Sequence, residues 1–223
     1  MDVRLFVEQA AQKLRRAGLR AALREGFDLL RDGRITDEFD LKYGTDTGGL
    51  EPLWRFKINS PNARFVTTYQ TLDEQRLIDA VSFLDQDPRH LTFVDVGCGK
   101  GRPLLVAAKL GFKEIIGVEF VRELAEIAKK NLQKVGVVNA VVVQADAAEY
   151  RFPKTDMVVY LFNPFSQKVM RQVIANLRES LAGKLYVIYA APRCAALFDA
   201  RGFLTRLGCP PGRTGIQIWR SAR

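Results

Sequence analysis

Three glycines at alternate positions follow a short apolar run that contains an acid, a pattern able to bind a nucleoside. Residues 93–101 read Phe-Val-Asp-Val-Gly-Cys-Gly-Lys-Gly, and the next apolar run ends on Glu119 and Phe120. A glycine-rich turn after one strand and a carboxylate at the end of the next strand are typical of nucleoside cofactor sites on open α/β sheets. The residues therefore predict such a site, and the charge around the turn indicates which cofactor it binds.

The turn favours a cationic ligand over a dinucleotide. In the dehydrogenase fingerprint G-x-G-x-x-G a third glycine lets the helix pack closely on the strand, and Arg102 stands at that position here. Asp95 at the tip of the strand would repel a pyrophosphate and attract a cation. S-adenosyl-L-methionine carries an ammonium and a sulfonium but no phosphate, so it suits this turn. The alternative is a nicotinamide-dependent oxidoreductase that uses Glu119 on the ribose, which the glycine spacing and Asp95 disfavour.

The turn at residues 95–101 resembles the D-x-G-x-G-x-G turn of class I S-adenosylmethionine-dependent methyltransferases, and the similarity extends over about residues 70–220. The resemblance implies that Asp95 holds the methionine end, that Glu119 binds the ribose hydroxyls and that Asp146 accepts from the adenine amino group. Caps of a helix or loop are the alternative roles for these two later acids. The expected cofactor-binding residues are Asp95, Val96, Gly97, Cys98, Gly99, Gly101, Arg102, Glu119, Phe120, Asp146, Ala147, Asn163, Thr45 and Thr47.

The fourth predicted strand ends in Leu161-Phe-Asn-Pro-Phe165. This ending resembles the Asn/Asp-Pro-Pro-aromatic motif of methyltransferases that act on nitrogen, in which the polar side chain and a neighbouring carbonyl accept from the target amino group. The second proline of that motif is missing here, so the aromatic residue stands one place closer to the asparagine. The resemblance nevertheless implies that Asn163, Pro164 and Phe165 are the catalytic residues for a nitrogen acceptor. The alternative is that Asn-Pro only terminates the strand and that the aromatic ring packs on the core.

A polar segment precedes the domain, Tyr43-Gly-Thr-Asp-Thr47. It is similar to a segment of a group of bacterial methyltransferases and distantly resembles the Tyr-Gly loop of non-SET histone lysine methyltransferases. Such a segment could fold over a ligand and donate to its carboxylate. We expect Tyr43 and Tyr69 in the catalytic set and Thr45 and Thr47 at the cofactor. An ordinary polar loop is the alternative.

Hydrophobic periodicity predicts the elements that position these residues. Strands are expected near 91–96, 114–118, 139–143, 156–162, 184–190, 202–207 and 214–220, with helices at 102–110, 121–134, 166–180 and 193–200. Strands that alternate with helices predict right-handed crossovers and a parallel sheet covered on both faces. Only a Gly- and Pro-rich gap separates the last two strands, so they should pair as a hairpin. We expect an α/β fold with a doubly wound, mostly parallel seven-stranded sheet and an antiparallel C-terminal hairpin.

Two regions are predicted: an N-terminal helical and lid segment at 1–70, and an S-adenosylmethionine-binding catalytic domain at 71–223. The net charge is +9, and the stretch 184–223 holds seven basic residues against one acid. This basic stretch could attract a nucleic acid or an acidic protein, or it could be a solvated surface. The methyl acceptor stays open among protein, nucleic acid and small molecule. A non-catalytic methyltransferase-like binding protein is a further alternative.

The number and spacing of cysteines and histidines limit which other classes of protein the sequence can represent. Three scattered cysteines and one histidine form no metal-type cluster, so no metal is expected. Unpatterned thiols fit a reducing cytoplasm, which is the expected location. No apolar run approaches the ~20 residues needed to cross a bilayer, and the first residues lack the order of a secretory signal.

Overall fold

The computed structural model describes residues 37–49, 73–162, 165–200 and 202–222. Residues 1–36 of the predicted N-terminal helical and lid segment, the boundary at residue 70, and Tyr69, Asn163 and Pro164 lie outside the described residues.

A seven-stranded sheet forms the centre of the fold. Its strands are β1 (Thr92–Val96), β2 (Glu114–Glu119), β3 (Ala140–Gln144), β4 (Met157–Phe162), β5 (Leu185–Ala190), β6 (Leu204–Gly208) and β7 (Ile216–Ser221). Their order is β3-β2-β1-β4-β5-β7-β6. The first five strands are parallel, and β7 pairs antiparallel with both β5 and β6. The predicted mostly parallel sheet with a C-terminal hairpin is therefore confirmed.

Six α-helices accompany the sheet within the described residues. They are α1 (Glu38–Tyr43), α2 (Glu74–Ser82), α3 (Arg102–Lys109), α4 (Arg122–Val135), α5 (Gln167–Ser180) and α6 (Ala195–Asp199). The local sequence explains where several of these helices begin and end. Asp73 caps α2 by accepting from the Gln75 backbone, and Pro103 stands in the first turn of α3, where its missing N–H costs nothing. Gly136 ends α4 in the left-handed conformation.

Two apolar layers bury the faces of the sheet. Helices α2, α3 and α4 cover one face, on which Leu77 and Leu104 pack in the same cluster as Phe93 of β1. Helices α5 and α6 cover the other face, where Met170 and Phe198 belong to the second cluster. Because both faces are covered, the central strands are apolar almost throughout, as in other parallel sheets.

The strand order places a crevice at the carboxyl ends of β1 and β4. The chain runs outward from β1 through β2 to β3 and then returns to β4 on the other side of β1. In open α/β sheets the ligand binds at such a reversal of strand order, outside the carboxyl ends of the strands. Asp95 and Glu119 lie at this edge of the sheet, and Asp146 follows β3 at the same edge.

Candidate functional site

The glycine turn folds back onto the end of β2. Gly97, Gly99 and Gly101 all have positive φ, at 87°, 54° and 87°, which side chains with a Cβ rarely adopt. The backbone N–H groups of Gly97 and Cys98 donate to the Val118 carbonyl at 2.8 and 3.1 Å. The turn therefore has the conformation that the alternate glycines predict, and it stays close to the neighbouring strand.

Glu119 connects this turn to the start of α4. Its side chain is buried, and one carboxylate oxygen accepts from the Gly99 N–H at 2.9 Å. The other oxygen accepts from the Val121 N–H at 2.8 Å. Burial raises the pKa of Glu119 to about 7, against the opposing effect of these backbone donors. The capping role and a ribose-binding role are compatible, because a carboxylate has about four acceptor positions.

Asp95 is a buried acid with one oxygen that has no partner among the described residues. Its exposure is 2%, and among the described residues its Oδ2 atom has no hydrogen-bond donor. Burial and the nearby negative charge of Glu119 raise the pKa of Asp95 well above its usual range. Buried polar atoms are nearly always paired, so this orphaned oxygen indicates that a donor or a cation is to be bound here.

The loop after β3 carries Asp146, the third acid at this edge of the sheet after Asp95 and Glu119. Asp146 accepts from the Ala148 N–H at 2.9 Å, so it caps its own turn. The Ala145 N–H donates to the Glu119 carbonyl at 3.0 Å, which attaches this loop to the end of β2. Ala147 is buried and Phe120 is half-buried. The structure thus brings Asp95, the turn, Glu119 and Asp146 to one edge of the sheet.

The segment at residues 37–49 is organised around a buried acid, Asp40. Its carboxylate accepts from the hydroxyls of Thr45 and Thr47, both at 2.7 Å, and from the backbone N–H groups of Thr47 and Gly48 at 2.8 and 2.6 Å. Burial raises the pKa of Asp40, but these hydrogen bonds outweigh burial and hold the pKa below its usual value. The threonine hydroxyls predicted to contact the cofactor are therefore donors to Asp40 in this structure.

Two buried cations attach this segment to the glycine turn. The Lys100 ammonium contacts the Asp46 carboxylate at 3.0 Å and the Gly48 carbonyl at 3.1 Å. The Arg102 guanidinium donates to the Thr47 hydroxyl at 2.8 Å and stacks on the Phe39 ring at 4.6 Å. Arg102, which the sequence predicts at the cofactor, also forms ion pairs with two aspartates of the 37–49 segment, Asp37 and Asp40.

Asn131 of α4 supports the same junction. Its amide donates to the carbonyls of Asp46 and Lys100, both at 2.9 Å, and its oxygen accepts from the Asp46 N–H at 3.0 Å. Sequence reasoning missed Lys100, Asn131 and Asp40 as parts of the site. A signal was available for Lys100, because a lysine between two glycines of a buried turn must extend its ammonium to some acceptor.

Tyr43 lies away from the three acids. It is the last residue of α1, and its ring packs on Phe39 with a centroid separation of 4.7 Å. The Lys109 ammonium lies 5.1 Å from the ring centroid, and Lys109 with Lys42 holds the pKa of Tyr43 below its usual value. Lys109 ends α3, about 10 Å along the helix axis from the glycine turn. The structure therefore places Tyr43 beside the far end of α3.

At the end of β4 the structure describes Phe165 but not the two residues before it. Phe165 is buried in the apolar cluster on the α5 side of the sheet.

No group of three or more His, Cys, Asp or Glu side chains that could hold a metal occurs within the described ranges. In those ranges no helix is both long and apolar enough to span a membrane.

The fold is a methyltransferase-like α/β fold, and sequence comparison points to the same class. Residues 93–184 match the model of a family described as a methyltransferase domain. A magnesium protoporphyrin IX methyltransferase from Synechocystis, solved with S-adenosylmethionine bound, superposes with a TM-score of 0.52 at 20% identity. The superposition covers 66% of this chain and 78% of that chain.

Two relatives match shorter parts of the sequence. An uncharacterised protein of Methanocaldococcus jannaschii is 34% identical over 77 residues, which are 34% of this chain and 35% of that protein. The ribosomal protein L11 methyltransferase of Thermotoga neapolitana is 33% identical over 75 residues, which are 34% of this chain and 27% of that enzyme. The chain thus spans about a third or less of the length of these relatives.

Proposed function

We propose that this chain is an S-adenosyl-L-methionine-dependent methyltransferase that transfers the methyl group to a nitrogen acceptor. The observation that carries this proposal is the orphaned, buried carboxylate of Asp95 beside the glycine turn. The cationic amino-acid end of the cofactor would satisfy that oxygen, whereas the pyrophosphate of a dinucleotide would be repelled by it. The matched methyltransferase domain family and the fold support the same conclusion.

The residues present fit this cofactor at three points. Asp95 would bind the ammonium, Glu119 the two ribose hydroxyls, and Asp146 the adenine amino group. Glu119 keeps acceptor positions beyond the backbone N–H groups it already binds. When bound, S-adenosyl-L-methionine supplies a methyl group on a positively charged sulfur, and the leaving thioether departs neutral.

The protein then has to orient the acceptor and exclude water, since the leaving group needs no acid. We assign the orienting role to Asn163 and to the backbone at the end of β4, on the resemblance to nitrogen methyltransferases. Methylation of an oxygen acceptor requires a general base. The single histidine, His90, ends a short 3-10 helix before β1, so it lies at the edge of the sheet opposite to the candidate site. Nitrogen is therefore the preferred acceptor atom.

The acceptor molecule is open among a protein, a nucleic acid and a small amine. The relative from Thermotoga neapolitana is named for a ribosomal protein substrate, which supports including proteins in the search. The basic C-terminal stretch supports an acidic partner or a nucleic acid. Three of its arginines, however, pair with acids of this chain: Arg206 with Asp199, Arg213 with Asp79 and Arg220 with Asp85.

The first test is cofactor binding by calorimetry. We expect S-adenosylhomocysteine to bind the wild-type protein and NAD not to bind, and we expect Asp95→Ala to abolish binding of S-adenosylhomocysteine. Binding of NAD alone would favour the oxidoreductase alternative, and wild-type affinity in the variant would remove Asp95 from the site.

The second test is turnover. Cell extract divided into protein, nucleic acid and metabolite pools is incubated with labelled S-adenosyl-L-methionine, and incorporation identifies the acceptor class. For Asn163→Ala we expect cofactor binding to be kept and incorporation to be lost. Equal incorporation by the variant would leave Asn163 as a strand terminator, and binding without incorporation into any pool would favour a non-catalytic binding protein.

A further inference from the structure

The glycine turn is packed between β2 and α4. A Cβ on Gly101 would lie 3.0 Å from the Ala128 Cβ of α4, and a Cβ on Gly117 of β2 would lie 2.8 Å from the Cys98 sulfur. Two glycines therefore permit this close approach, one on each side of the turn. Because the turn already touches both elements, the groups that α4 and β2 present to it decide its conformation.

Asn131 binds the backbone of two separate segments at once. It follows Ala128 by three residues, so it lies on the face of α4 that meets the turn, and it is buried. Its amide nitrogen donates to the Lys100 carbonyl of the turn and to the Asp46 carbonyl of the 37–49 segment, both at 2.9 Å. Its amide oxygen accepts from the Asp46 N–H at 3.0 Å. Both N–H donors of the amide are thus used on backbone carbonyls.

The contact with the turn fixes the peptide group between Lys100 and Gly101. The carbonyl of this peptide accepts from Asn131, and its N–H, which belongs to Gly101, donates to the Cys98 carbonyl at 2.9 Å. Glycine adopts either sign of φ at little cost, so peptide planes in a glycine-rich turn can rotate easily. Hydrogen bonds at both ends of this peptide oppose such a rotation.

Charged side chains make the same connection, but through longer arms. The Lys100 ammonium contacts the Asp46 carboxylate at 3.0 Å, and the Arg102 guanidinium donates to the Thr47 hydroxyl at 2.8 Å. A long side chain has several rotatable bonds and can follow its partner when the backbone moves. The short side chain of Asn131, on a helix, instead sets the distance between the two backbones.

We propose that Asn131 is a positioning residue for cofactor binding, which holds the glycine turn in the conformation that receives the methionine end. The inference rests on the proposed function, in which this end lies against the turn. A site that already has its binding conformation binds more tightly, because the ligand does not have to order it. The role requires no contact between Asn131 and the ligand. It also couples the 37–49 segment to the cofactor through one side chain.

The first test compares two ligands. S-adenosylhomocysteine carries the amino-acid end, and 5′-methylthioadenosine lacks it. For Asn131→Ala we expect the Kd of S-adenosylhomocysteine to rise roughly tenfold, as it would if the turn held its binding conformation about a tenth of the time, with the Kd of 5′-methylthioadenosine unchanged. Asn131→Asp keeps the size of the side chain but, when ionised, has no N–H to donate, so it should show the same pattern. Partial unfolding cannot imitate this pattern, since it would raise both Kd values by the same factor.

Asn139→Ala is the matched control. The Asn139 amide also donates to two backbone carbonyls, those of Phe112 at 2.8 Å and Lys113 at 3.4 Å, but it lies just before β3, at the amino edge of the sheet. Its loss should change neither Kd. An unchanged Kd of S-adenosylhomocysteine in both Asn131 variants would overturn the proposal. An equal rise for both ligands would also overturn it, since it would indicate a general structural role. Wild-type protein that binds neither ligand would refute the proposed function itself.

The second test uses the reciprocity of coupled binding. In the wild type, S-adenosylhomocysteine should slow amide hydrogen exchange in the 37–49 segment as well as in the glycine turn, because Asn131 joins the two. In Asn131→Ala the added protection of the segment should be lost, while that of the turn remains. Equal added protection of the segment in the two proteins would contradict the proposal, since the coupling would then not pass through Asn131.

Discussion

The carboxylate of Glu119 accepts a hydrogen bond from the backbone N–H of Gly99, twenty residues earlier in the chain, at 2.9 Å. The end of β2 is thereby joined to the centre of the glycine turn. The same buried carboxylate is the acceptor proposed for the ribose hydroxyls. Its protonation state should therefore affect both ligand binding and the stability of the fold.

Affinity for S-adenosylhomocysteine should fall at acid pH. The pKa of Glu119 is raised to about 7 by burial, so the free protein gains a proton there as the pH drops below 7 and loses an acceptor for the ribose. Asp95 and the Cys98 thiol adjoin this carboxylate, and their pKa values are also raised. We expect calorimetry between pH 5.5 and 8.5 to show a loss of up to about tenfold per pH unit below 7. A flat profile for the wild-type protein would contradict this.

The unliganded protein should become less stable as the pH rises from about 4.5 to 7. In that window the folded state holds a proton on Glu119 that the unfolded state has released, so the free energy of unfolding decreases with pH. Glu119→Gln lacks this titration. Relative to the wild type, the variant should gain roughly 2–3 kcal/mol between pH 5 and pH 8. Urea unfolding of the two proteins at both pH values measures the difference. If the stability of the wild type and of the variant changed with pH in the same way, the pKa of Glu119 would not be raised in the folded state.

Asp40→Asn should destabilise the protein by roughly 3 kcal/mol, because it replaces an acceptor of several buried donors and leaves Arg102 without one partner. Glu126→Gln is the control: Glu126 forms an exposed pair with Lys129 at 2.8 Å, and its loss should have a much smaller effect on stability than the loss of the Asp40 carboxylate. Urea unfolding of both variants provides the comparison. Equal effects would mean that the 37–49 segment contributes little to folding.

Gly117→Ala should weaken both stability and ligand binding. A Cβ on Gly117 would lie 2.6 Å from Leu104 Cδ1 and 2.8 Å from the Cys98 sulfur, inside a packed layer. Overpacking of this kind costs typically about 1–3 kcal/mol, and displacement of Cys98 would disturb the turn. Thermal unfolding and calorimetry with S-adenosylhomocysteine measure the two effects. Adding Cys98→Ala should recover part of the loss, and no recovery would indicate that Leu104 carries the whole clash.

Much of the fold was predictable because its signals are local. Each of the seven predicted strands agrees with an observed strand to within two residues at either end. The antiparallel hairpin followed from the short gap rich in glycine and proline. Asp95, Glu119 and the turn were predictable as a group, because a parallel sheet brings the carboxyl ends of successive strands to one edge.

The contacts of the 37–49 segment were not predictable in the same way. The sequence indicated a polar segment able to cover a ligand, whereas its threonines bind Asp40 and its carbonyl and carboxylate groups bind Lys100. The contacts of Lys100 join residues more than fifty positions apart, and nothing in the local pattern of either segment specifies the partner.

The sequence by itself thus determined the order of the elements, the covered parallel sheet and the row of acids at its carboxyl edge, because periodicity and turn chemistry act over a few residues. Only the tertiary structure decided which buried charges are paired with other groups of the chain. Arg102 contacts two aspartates, whereas one oxygen of Asp95 has no hydrogen-bond partner among the described residues. That distinction depends on which distant segments pack together, since a side chain acquires such partners only when the segments that carry them come into contact.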